Sequence, residues 1–193
     1  MNINLKQVMD WIFIHEGGYA ERDSEPGGAV NMGISFTAFK DWWHKNKQGE
    51  PTFDDLKALT REDAEAIYLG WFFVPIRFHQ LPSGVDYALV DFAVNSGVGG
   101  AVRSVQRLMN FPVSGKIDTN ARDGPFFWAI RHRDTKSVID TIMEARLTLM
   151  LGSKKWERFQ ANWTRRLKAV KERAYMLASI TAPATIEVPH HDN

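Results

Sequence analysis

A mainly α-helical fold, with a small β-hairpin or loop after the first helix, is what the sequence predicts. Three observations carry that expectation. Apolar residues recur at helical spacing along most of the chain, as Leu5, Val8, Met9 and Ile12 do near the start. That period is lost over residues 19 to 35, where glycines and a proline cluster instead. Helix start signals recur between the periodic segments, among them Thr60-Arg61-Glu62-Asp63 and Ser83-Gly84-Val85-Asp86. A hydrophobic fraction of 44%, with 12% aromatic residues, supplies a sizeable core, and with no cysteine the chain has neither a disulfide frame nor a thiolate metal site.

The elements follow in order. The first helix takes Asn4 as a candidate N-cap and stops at Gly17 and Gly18, because paired glycines end a helix cheaply. Residues 19 to 35 form the hairpin or loop. Thr37 is placed to cap a helix running through Trp42 and Trp43. The Thr60 box opens a helix with Ile67, Tyr68 and Trp71 facing inward, ended by or before Pro75. The Ser83 box leads a helix through Phe92 to about Asn95. After the break at "NSGVGG", Val102, Val105, Leu108 and Met109 mark another helix, and "NFPVSGKID" reads as a loop. Two long helices are expected at about 135–151 and 162–180. The end, "TAPATIEVPHHDN", is read as a mobile or draped tail.

Charge is unevenly spread. Met1 to Asp91 holds 8 Lys and Arg against 14 Asp and Glu, net −6, whereas Phe92 to Asn193 holds 16 against 9, net +7. The shift places a soft boundary near Asp91. A basic half suits an anionic polymer such as nucleic acid or cell wall, and a solvated helical surface explains it as well. The first residues, "MNINLKQVMDWIFIHE", lack the features of a signal peptide, and no run approaches the ~20 apolar residues of a membrane span. The expectation is a chain made in the cytoplasm that stays soluble.

Glu16 is the first candidate for chemistry. A carboxylate at the C-terminal end of a helix sits in the negative field of the helix dipole. Desolvation by Trp11, Phe13 or Tyr19 would favour its protonated form further, as a general acid requires. Gly17 and Gly18 would let a polymer approach the backbone. The alternative is an exposed glutamate in a Gly-Gly turn. Glu21, Asp23 and Glu25 follow on the hairpin, and glycoside hydrolysis uses two carboxyl groups across the scissile bond. The six histidines show no metal-ligand spacing, and "GVGG" lacks the Lys-Ser/Thr of a phosphate loop, so neither metal nor cofactor is expected. Lys154, Lys155, Arg158, Arg165, Arg166, Lys168, Lys171 and Arg173 with Trp156 and Trp163 form a basic-aromatic patch. It suits nucleic acid, anionic peptidoglycan or plain solvent.

The stretch "HEGGYAERDSEPGGAVNMGIS" resembles the N-terminal motif of glycoside hydrolase family 108, the secretion-activator and phage-endolysin N-acetylmuramidases. That motif runs Glu-Gly-Gly-Tyr, a short spacer, Asp-Pro-Gly-Gly-Ala-Thr, then Gly-Ile-Thr. "AIYLGWFF" and "LPSGVDYALVDFAVNSGVGGAVRSVQRLMN" are similar to the family's later helices. From Asn95 on, the chain resembles the helical predicted peptidoglycan-binding domain usually paired with the catalytic region, and "RFQANWTRR" resembles its final helix. The likeness covers about residues 3 to 180. It implies a lysozyme-like helical fold with a catalytic region over 1–91, a wall-binding region over 92–180 and a tail over 181–193.

The resemblance also assigns roles. Glu16 matches the catalytic glutamate, the general acid, and Tyr19 matches the motif tyrosine. Glu25 stands where the family has aspartate, Val30 where it has threonine, and Ser35 where threonine is common. In phage-type lysozymes Glu, Asp and Thr at similar spacing share the work, with Thr positioning water, and Val30 cannot hydrogen-bond. Glu25 is the expected second carboxylate. Gly17, Gly18, Tyr19, Tyr68 and Asn95 are the expected substrate-binding residues. The implied activity is cleavage of the β-1,4 bond between N-acetylmuramic acid and N-acetylglucosamine, without metal or cofactor. The protein would reach the wall or periplasm through a holin, a secretion apparatus or lysis. The departures at Glu25 and Val30 motivate an alternative, a weakly active or inactive peptidoglycan-binding secretion accessory protein. Nucleic-acid binding rests on the basic half alone and is not expected.

Overall fold

The computed structural model describes residues 4–21, 27–117 and 124–181. Asp23, Glu25 and the tail from 182 onward therefore lie outside the described residues. The fold is mainly α with one small antiparallel sheet after the first helix, the lysozyme-like arrangement expected.

Helix α1 (Leu5–Glu16) buries Val8, Met9, Ile12 and Phe13 on one face. Its start differs from expectation. Asn4 makes no side-chain cap, because its amide nitrogen donates instead to Ser83 Oγ and so ties the start of α1 to the loop before a later helix. The strands β1 (Ala20–Glu21), β2 (Ala29–Asn31) and β3 (Ile34–Ser35) pair antiparallel in that order. Val30 faces Ala20 on one side and Ser35 on the other. Met32 and Gly33 both have positive φ, 46° and 75°, the requirement of a tight two-residue hairpin turn.

Ser35 caps α2 (Phe36–Asn46) through the amide of Ala38 at 3.3 Å, so the helix begins earlier than the expected Thr37 cap. A full capping box at Thr52 and Asp55 opens the short α3 (Phe53–Lys57), which the periodicity did not reveal because five residues are too few to show a period. Thr60 caps α4 (Arg61–Tyr68) as expected. That helix runs on as a π turn over Leu69–Phe73, and the register shift buries Phe73 while leaving Trp71 half-buried.

Helix α5 (Val85–Ser96) is the centre of the molecule. Every residue from Val85 to Ala93 is buried, and it packs against α6 (Val98–Leu108), α8 (Thr135–Leu151), α9 (Trp156–Thr181) and the π turn. Its N-cap is Gly84 rather than Ser83. Asp86 Oδ1 accepts from the Gly84 and Tyr87 amides at 2.7 Å each, satisfying donors that a helix start leaves open. Helix α7 (Pro125–His132) lies in the stretch left unassigned by periodicity, with proline at its first turn. The boundary expected near Asp91 falls inside α5, so the segments on either side share a helix and one apolar core, from Val8 to Ala178. Among the described residues no helix is long and apolar enough to cross a membrane.

Candidate active site

Glu16 is the last residue of α1, and Gly17 follows with φ +73°, a conformation that turns the chain sharply out of the helix. Among the described residues the space at Gly17 and Gly18 is open: a Cβ at either would meet none of them within 4 Å. On the hairpin side, a Cβ at Gly33 would lie 2.8 Å from Glu16 Oε2 and 2.5 Å from Tyr68 Oη. Only glycine lets the β2–β3 turn come this close, and it thereby brings Tyr68 and Glu16 to one spot. The Tyr68 hydroxyl donates to Met32 O at 3.0 Å, and burial, then the Glu16 charge, raise its pKa. Tyr68 is thus a neutral donor at neutral pH, locked to the same turn.

On the other side stands a group the sequence did not single out. Arg166 Nη1 of α9 lies 2.8 Å from Glu16 Oε1. The same guanidinium meets Asp91 of α5 twice, Nη2 to Oδ2 at 3.0 Å and Nε to Oδ1 at 3.1 Å, and Arg146 Nη1 of α8 donates to Asp91 Oδ1 at 2.7 Å. Two carboxyl groups alternate with two guanidinium groups, Glu16–Arg166–Asp91–Arg146, and they join four helices. Asp91 and Arg146 have fully buried side chains. Burial alone would raise the pKa of Asp91, but Arg146 and Arg166 outweigh it and hold the carboxyl below its ordinary range. The groups placed beside Glu16 are therefore Tyr68, the 32–33 turn and a guanidinium, rather than the expected screen of Trp11, Phe13 and Tyr19. Trp11 packs on Tyr87 and Phe13 on Tyr68, while the Tyr19 hydroxyl donates to Glu21 Oε1 at 3.0 Å along β1.

His15, Asn95, Asn162, Trp163, Arg165 and Arg166 line a cavity of ≈ 430 Å³ beside this cluster. Of the expected binding residues, Tyr68 adjoins Glu16, Asn95 lines the cavity, and Gly17 and Gly18 flank the acid. Tyr19 is engaged with Glu21 instead. Glu25, the expected second carboxylate, lies outside the described residues. Val30 sits half-buried in β2, where an alkyl side chain fills space but orders no water. No group of three or more metal-ligating side chains occurs among the described residues.

Arg166 was visible only as one member of a basic run. A signal for its partners does exist: Asp91 and Arg146 are single charges inside the apolar runs "YALVDFAV" and "ARLTLML", and a charge at such a place requires a partner.

Residues 9–97 match the family described as Glycosyl hydrolase 108. The solved structure of Brucella abortus SagA is similar over 91% of this chain and 95% of that one, with a TM-score of 0.77 at 30% identity. No curated protein matches the chain.

Proposed function

The chain belongs to the Glycosyl hydrolase 108 family, a family of glycoside hydrolases, and from that premise we propose that it is an N-acetylmuramidase whose general acid is Glu16. The observation that carries the proposal is the seat of Glu16, at an abrupt helix end between the Gly33 turn and Arg166, with open space at Gly17 and Gly18. Its substrate is the peptidoglycan strand, and the bond cleaved is the β-1,4 link from N-acetylmuramic acid to N-acetylglucosamine. Glu16 passes a proton to the glycosidic oxygen as the C1–O bond breaks, leaving an oxocarbenium-like sugar. As it gives up that proton the side chain becomes an anion, and the Arg166 guanidinium at 2.8 Å stabilises the charge where it forms. Glu25 is the proposed second carboxylate, supported by its place before "PGG" in the matched segment. The +7 half over 92–193 supports a wall-gripping role for residues 92–180, and the site of action is the wall or periplasm after release through a holin, a secretion apparatus or lysis. A second reading, a wall-binding accessory protein that cleaves poorly, is favoured by Val30, which cannot order water from its strand.

The test is digestion of purified sacculi with analysis of released reducing ends and muropeptides by mass. Glu16→Gln should lower turnover by about 10²–10⁴-fold, the usual cost of losing a general acid, with the fold unchanged. Turnover within a few-fold of the parent chain removes Glu16 from the mechanism. Absence of cleavage by the parent chain, with wall binding intact, selects the accessory reading.

A further inference from the structure

The cavity beside Glu16 has a chemistry that the cleavage step does not use. It is assembled from the end of α1, the end of α5 and one face of α9, and among the described residues its lining contains two arginines, two side-chain amides, an imidazole and an indole but no carboxylate. The two arginines differ. Arg166 donates two hydrogen bonds to Asp91 and lies 2.8 Å from Glu16 Oε1, so its guanidinium is already engaged on both sides. Arg165 has no hydrogen bond or ion pair among the described residues, and among them it is the cavity's uncompensated charge. His15 Nε2 is buried and has no hydrogen-bond partner among the described residues; burial, then the Arg166 charge, lower the pKa of the imidazole. Trp163 is stacked on Phe159, with centroids 5.8 Å apart and planes at 19°, which fixes the indole as a rigid apolar wall. Because His15 precedes Glu16 and Arg166 touches it, a ligand seated here adjoins the acid.

We propose that this cavity is a subsite for a carboxylate carried on the muramic acid residue of the substrate, with Arg165 as the cation that reads it and Asn95 and Asn162 as donors to the accompanying amides. The proposal rests on the muramidase reading and deepens it. The carboxylate has two sources, the lactyl group when no peptide is attached and the stem peptide when one is.

The experiment is calorimetric titration of the full chain with three probes. They are N-acetylglucosaminyl-N-acetylmuramyl tripeptide with free carboxylates, the same compound with its carboxylates amidated, and the peptide-free disaccharide. The free-carboxylate tripeptide should bind roughly tenfold more tightly than the amidated one, the effect of one charge-assisted hydrogen bond. Arg165→Gln should bring the two affinities to within about twofold, the range of a screened surface charge, and Arg165→Glu should reverse the preference. If the disaccharide binds as tightly as the free-carboxylate tripeptide, the lactyl carboxylate is read as well as the peptide's; if as weakly as the amidated compound, the stem peptide alone is. Equal affinity for all three compounds, no binding of any, or discrimination that survives both substitutions overturns the proposal; equal affinity for the two tripeptides with tighter binding of the disaccharide assigns the carboxylate to the lactyl group alone. Cleavage of sacculi is read separately: discrimination without cleavage keeps the subsite and removes the muramidase.

Discussion

Two arginines in this molecule each clasp one carboxylate from α1 and a second from elsewhere, and they differ almost only in depth. Arg61 holds Asp10 at 2.6 Å and Glu65 at 2.7 Å, with the three side chains 39%, 53% and 40% exposed. Arg166 holds Glu16 at 2.8 Å and Asp91 at 3.0 Å, with the three side chains 13%, 18% and 0% exposed. In the first cluster water competes for every charge, and such pairs contribute about 0–1 kcal/mol and weaken in salt. In the second, water is largely gone, so bringing the charges together was costly and separating them costs more. Arg146 Nε and Nη2 are buried without a hydrogen-bond partner among the described residues, which shows how little slack the inner cluster has. The same kind of clasp thus fastens the surface lightly in one place and dictates the position of Glu16 in the other.

Removing Asp91 tests the contrast most severely. Asp91→Asn leaves the buried Arg146 and Arg166 facing each other without their shared anion, and should cost about 3–5 kcal/mol in denaturant unfolding. A loss under about 1 kcal/mol would place the inner cluster in the same class as the outer one.

Acid provides the next test. The carboxyl of Asp91 titrates lower in the folded chain than its unfolded value of about 3.9, so its stabilisation is complete above that value and disappears as pH falls through the folded pKa. Denaturation midpoints followed from about pH 6 to about pH 3 should fall in the parent chain and fall less steeply in Asp91→Asn. Parallel acid limbs would mean that other carboxylates set the acid response.

The smallest effect belongs to the outer cluster. Arg61→Ala should cost at most about 1–2 kcal/mol, part of it from the guanidinium lying 4.0 Å above the Phe13 ring centroid, and the ion-pair share should vanish in high salt. A loss equal to that of Asp91→Asn would erase the distinction between the two arginines.

The long periodic helices were legible because one face of each is apolar over several turns, as the expected 135–151 segment shows against the observed Thr135–Leu151. Caps were legible only where no long-range partner intervened. Thr60 caps its helix, whereas Asn4, identical in local logic, is drawn away to Ser83, 79 residues on. Glu16 stood out through its motif and its place before two glycines. Arg166 did not, because nothing in a single sequence relates residues 16, 91 and 166, which meet only when α1, α5 and α9 pack. Gly33 falls between these cases: its turn is readable from "NMG", but its contact with Glu16 and Tyr68 is not.

The long reach of Arg166 bears on how the molecule comes into being. Synthesis runs from the N-terminus, so Glu16 leaves the ribosome 150 residues before the arginine that holds it. Until α9 has been made and has docked, the nascent chain carries Glu16 without its guanidinium, and Asp91 of α5 has only Arg146 of its two cationic partners. Contacts of this sequence separation are slow to form because a large loop must close first. Glu16, made among the first residues, is therefore among the last to be seated, and a chain interrupted before residue 156 would leave the ribosome with the Glu-Gly-Gly-Tyr motif written in full and its arginine partner missing.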